Sequence, residues 1–128
     1  MINFEYLSKG VNALARAHQM NAMAGHLGAA VIAGYFVGEQ FPDFDPDVYK
    51  GIEGDLDRII RGESVFGKRM SKKSKLADPE LFEPFEKQNP NEELIDGIAE
   101  GLEKNIGKPR ASGHNVIFAS LATVSYTH

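Results

Sequence analysis

Leu7, Val11 and Leu14 recur at helical spacing, and His18 continues their stripe, so the first part of the chain predicts a helix from about Phe4 to Met20. The next run, 22–38, is different in kind. It is apolar around nearly its whole circumference, with thin sides at Gly25, Gly28, Ala29, Gly34 and Gly38. Glycine inside a helix costs about 0.5–1 kcal/mol relative to alanine, so several of them imply that a neighbouring backbone comes close in return. Asn21 and Gly25 are weak breakers, which leaves open whether the first two segments are one kinked helix or two.

Three further segments are announced by a repeated punctuation. Asp45-Pro46-Asp47, Asp78-Pro79-Glu80 and Asn89-Pro90-Asn91 each set a capping side chain before proline. The cap accepts a bond from an unpaired N–H, and proline at the first helical position sacrifices none. Glu92, three residues after Asn89, resembles the far half of a capping box. Behind the first start, Val48, Ile52, Leu56, Ile59 and Ile60 mark a buried face, and Gly62 marks the stop. Behind the third, Leu94, Ile98, Leu102 and Ile106 recur every four residues, with Gly107 and Pro109 at the end. The final run, 114–126, contains β-branched residues. An isolated strand would have no partner, so helix is the expectation, with Ser112 as its cap.

Residues 63–88 lack helical periodicity and carry Arg69, Lys72 and Lys73 within a basic stretch. They read as a loop with short helical turns, tethered by Phe66, Leu81, Phe82 and Phe85. Two short echoes run through the chain. Gly51-Ile52 and Leu56-Asp57-Arg58 match Gly97-Ile98 and Leu102-Glu103-Lys104, and Gly25-His26 matches Gly113-His114. The expected fold is all-α, a single domain over 1–128, with antiparallel helical hairpins forming a bundle or a partial α/α toroid.

Composition narrows the function classes. A chain of 128 residues is long enough for one core without staples, and the lack of cysteine removes disulfides, thiolate metal sites and a cysteine nucleophile together. Fourteen basic against eighteen acidic residues give a net charge of −4, which disfavours DNA and anionic lipid as whole-surface partners. The apolar run 23–37 is interrupted by His26 and falls short of the roughly 20 residues that span a bilayer. No signal-peptide pattern opens the chain, so a cytoplasmic location is expected.

His26 and His114 are the candidate catalytic residues. Each follows a glycine and opens an apolar run, placing it near a helix N-terminus, where the dipole favours a neutral imidazole suited to general-base work. The competing reading is a half-buried histidine bonded to a neighbouring carbonyl. His18, Arg69, Lys72 and Lys73 are the candidate ligand-binding residues, the three cations suiting a phosphate or carboxylate. No zinc spacing is present, and Asp43, Asp45 and Asp47 begin a calcium-loop pattern that fails at Val48 and Gly54. No cofactor and no metal are implied. Two functions are therefore expected as rivals. One is a small-molecule-binding domain, with or without catalysis, that has a histidine-lined pocket and an anionic ligand. The other is a non-catalytic homo-oligomerisation or interaction module that packs a partner helix on 22–38.

Overall fold

The computed structural model describes residues 1–63, 78–87, 89, 91–107 and 111–126. Among them the secondary structure is entirely helical: α1 (Phe4–Met20), α2 (Gly25–Gln40), α3 (Pro46–Ile60), α4 (Glu93–Glu103) and α5 (His114–Tyr126), with short 3-10 turns at Ala22–Ala24, Asp78–Phe82 and Ala111–Gly113. The chain divides into two compact units, Met1–Phe85 and Glu86–His128.

In the first unit, Asn21 decides the question its neighbours leave open. Its backbone is extended (φ −175°), its N–H closes α1 onto Ala17, and its side-chain oxygen accepts from the N–H groups of Met23 and Ala24 at 2.9 and 3.2 Å. One residue thus ends a helix and starts a turn, and α1 and α2 are separate helices. They run antiparallel with their backbones almost touching. A Cβ placed on Gly28 would lie 2.5 Å from the Leu14 nitrogen and 2.7 Å from the Gly10 carbonyl oxygen. One on Gly38 would meet Ile2 at 2.5 Å. Gly28 and Gly38 of α2 therefore face α1 and the residues leading into it, a close approach of the kind their cost in helix propensity implies.

This contact corrects the predicted face of α1. The buried residues are Tyr6, Leu7, Gly10, Ala13 and Ala17, while Val11 and Leu14 are half-buried and His18 is exposed. Close approach selects small side chains, so the deepest face is not the bulkiest one. A similar shift occurs on α3, where Tyr49 and Leu56 are buried and Val48 is exposed. Leu56 sits against Gly34 of α2, its Cδ2 2.7 Å from where a Cβ would stand. Asn3 N–H donates to Glu53 at 2.9 Å and the Tyr6 hydroxyl donates to Asp57 at 2.9 Å, tying α1 to α3. Burial, and then the hydrogen bond and charge of Asp57, push the Tyr6 hydroxyl up to about 12.

The punctuation is realised as a side-chain cap at Asp45, while at its second place a 3-10 turn begins at Asp78 itself. Asp45 accepts from Asp47 N–H at 2.9 Å with Pro46 in the first turn, and Asp78–Phe82 forms a 3-10 turn. At α3's other end, Gly62 takes φ +76° and the bonds Glu63 N–H to Arg58 and Gly62 N–H to Ile59 close a Schellman motif. The third start moves. α4 begins at Glu93, and Asn91 rather than Asn89 caps it, accepting from Glu93 N–H at 3.0 Å.

Asp78–Phe82 leads into a strap laid on α1 and α3. Leu81 and Phe82 are buried. Arg16 of α1 donates to the carbonyls of Leu81, Glu83 and Pro84 and lies over the Phe85 ring, 3.7 Å from its centroid. The tethering expected of Leu81, Phe82 and Phe85 is thus present, whereas Phe66 lies outside the described residues.

In the second unit, α4 and α5 pack on each other. Ile95, Ile98 and Leu102 are half-buried, while Leu94 and Ile106 at the ends of the predicted stripe are exposed. α5 is the helix expected over 114–126. Its entry differs from the expected serine cap, because Ser112 has φ 56° and Gly113 φ 90°, both left-handed, whereas an N-cap is extended. Gly25, at the matching place before His26, is right-handed helical (φ −56°). The Gly-His echo therefore joins two different backbone geometries.

Candidate functional site

Each candidate histidine is built by its own helix. His26 occupies the first turn of α2 and is half-buried, and its Nδ1 lies 3.0 Å from the Met23 carbonyl oxygen. A carbonyl only accepts, so Nδ1 carries the proton of the neutral ring and Nε2 its lone pair. His18, exposed near the end of α1, repeats the arrangement with the Ala15 carbonyl at 2.8 Å. For His26 this is the arrangement anticipated by the structural reading, a half-buried imidazole held by a nearby carbonyl. The helix break at Asn21 also removes the continuous-helix geometry that would set His18 and His26 at a fixed angle on one cylinder.

His114 opens α5 in the second unit. It is half-buried and its ring meets Phe118 edge-on at 5.8 Å. Beside it, the side-chain oxygen of Asn115 is shielded from solvent and accepts no hydrogen bond among the described residues. A buried acceptor without a donor carries a desolvation cost. Arg69, Lys72 and Lys73 lie outside the described residues. Among those described, no three His, Asp or Glu side chains gather in a way that holds a metal ion, and no helix is long and apolar enough to cross a membrane.

Two surface features of the first unit stand out against this background. The first is the solvent side of α2. With α1 and α3 taking its glycine faces, Met23 just before it and Ala30, Ala33 and Val37 along it remain exposed at helical spacing. The second is the connection from α2 to α3, where Phe41 and Phe44 stack with centroids 5.1 Å apart and planes 10° from parallel. Tyr49 organises it. Its hydroxyl donates to the Phe41 carbonyl and accepts from Phe44 N–H at 3.0 Å, and its ring packs beside Phe44. Phe44 before the cap and Tyr49 on the first turn form a hydrophobic staple. The Phe-Pro-Asp-Phe-Asp-Pro-Asp pattern contains that signal.

No family model matches the chain, and neither a curated protein nor a solved structure does.

Proposed function

We propose that the chain is a non-catalytic interaction module that self-associates through α2. The carrying observation is the exposed face Met23, Ala30, Ala33 and Val37 on a helix whose other sides are occupied. Small residues at the centre and larger ones at the ends make the face complementary to its own two-fold copy. In an antiparallel pair Ala30 of one copy stands opposite Ala33 of the other, allowing the helices to approach closely. The small apolar contact belongs to a weak, concentration-dependent dimer rather than an obligate one.

Ala33→Lys sets two charges near the two-fold axis, and Ala33 is exposed in the single chain, so folding is preserved. Sedimentation equilibrium is expected to show dimerisation of the parent chain and at least tenfold weaker association of the variant. A parent chain that stays monomeric at high concentration, or a variant that dimerises equally, refutes the reading.

A second reading, a small-molecule site for an anionic ligand at His114, is favoured by the unsatisfied Asn115 oxygen beside it. A ligand N–H or O–H would satisfy it. On this reading, one of a set of phosphorylated or carboxylated metabolites raises the thermal midpoint, and His114→Ala abolishes the shift. Absence of any shift removes it.

A further inference from the structure

We infer that the connection between α2 and α3 is a docking platform for a cationic amphipathic segment of a partner protein, one presenting an apolar anchor flanked by Lys or Arg. The platform shares no residue with the α2 face, and its reasoning does not depend on self-association.

Three observations carry it. First, Phe41 and Phe44 stay 47% and 41% exposed although they are stacked on each other, and Val48 on the following turn is 44% exposed. Large apolar side chains grouped within eight residues and left open to water mark interaction surfaces more often than scattered ones do.

Second, the geometry is set in advance. Phe41 N–H closes onto the Val37 carbonyl at 3.1 Å, Tyr49 holds the backbone of both phenylalanines, and Asp45 caps α3. Pro42 and Pro46 fix φ at two further positions. A partner therefore meets rings already arranged, with little ordering cost on this side of the interface.

Third, the charge of the segment that carries the rings has one sign. Glu39, Asp43, Asp45 and Asp47 alternate with the apolar residues and all four are exposed, while the sequence from 39 to 48 contains no Lys or Arg. Lys50 pairs with Asp47 at 2.8 Å. The α3 N-terminus offsets part of the charge at Asp45 and Asp47. Glu39 and Asp43 keep the rim negative. An acidic or lipid-phosphate partner meets repulsion there, whereas Lys or Arg flanking an apolar anchor finds both halves of its chemistry.

The test uses the full-length chain and two synthetic helical peptides identical in their leucines, one with lysine and one with glutamate at every polar position. Binding is followed by fluorescence anisotropy of the labelled peptide. The lysine peptide is expected to bind, and the glutamate peptide to bind at least tenfold more weakly. Phe41→Ser changes no charge, and Asp43→Lys removes no aromatic surface. Each is expected to weaken lysine-peptide binding about tenfold. Unchanged circular dichroism confirms that both variants fold.

If the lysine peptide fails to bind, or either variant binds it as the parent does, the platform is refuted. Loss in Asp43→Lys with none in Phe41→Ser identifies general attraction to an acidic protein and refutes the aromatic anchor. Ala33→Lys is expected to retain peptide binding, so failure of the α2 dimer and failure of the platform are read separately.

Discussion

Gly28→Ala is expected to destabilise the Met1–Phe85 unit by about 3 kcal/mol, the upper end of the cost of overpacking. The reason lies in what the new methyl meets. Its nearest neighbours are the Leu14 nitrogen, the Gly10 carbonyl oxygen and the Leu14 Cα, at 2.5, 2.7 and 3.0 Å. All are main-chain atoms of α1, which cannot swing aside as the end of a side chain can. The helices must separate, and contacts along their whole interface loosen together. Gly51→Ala supplies the opposite case, since nothing lies within 4 Å of its Cβ position. There the gain in helix propensity is about 0.5–1 kcal/mol. Hydrogen exchange at the Val31 and Ile32 amides, in the core of that unit, reads both effects. A Gly28→Ala chain as protected as the parent contradicts the backbone contact.

The same glycines explain how far the sequence was legible. Their cost inside α2 announced close neighbours, which are α1 at Gly28 and Leu56 of α3 at Gly34. Leu7 is buried as its place in the stripe implies, but Val11 and Leu14 were misread because their side chains have bulk, whereas the contact with α2 is made at the Gly10 and Leu14 backbone, beside the buried Ala13. Capping was legible where the side chain and proline acted alone, at Asp45. It shifted at Asn89, where Asn91 is equally capable and stands two residues nearer the helix. Helix was correctly preferred over strand for 114–126 on a tertiary argument, the lack of a strand to pair with. Local propensity alone pointed the other way.

The candidate site was less legible. Gly-His marks a helix start in both units, yet the identical dipeptide accompanies φ −56° at Gly25 and +90° at Gly113. The tautomer of His26 depends on the Met23 carbonyl three residues before it, and that carbonyl is placed by the turn Asn21 creates. The Phe41–Phe44 stack was missed for a related reason. A ring pair in a connection has no periodicity to betray it, and it becomes visible only when Tyr49 is seen to hold both backbones.

The strap on α1 is the other place where a small change is expected to act strongly. Leu81 has no exposed surface. Truncation to alanine removes its apolar transfer energy and leaves a cavity between the strap, α1 and α3, a loss of about 3 kcal/mol. Arg16→Met is expected to cost less, about 1 kcal/mol, because two of its three acceptors, the carbonyls of Glu83 and Pro84, belong to exposed residues and can turn to water when the guanidinium is gone, and the bond lost at the buried Leu81 carbonyl is a long one of 3.4 Å. The two variants also differ in reach. Leu81→Ala lowers protection at Val31 and Ile32 because the leucine is part of the core, while Arg16→Met speeds exchange in 81–85 and leaves those two amides nearly unchanged. If Leu81→Ala affected only the strap, residues 78–85 would be an appendage lying on a core complete without them. Loss at Val31 and Ile32 makes them part of that core, with Arg16 fastening the end farther from the buried leucine.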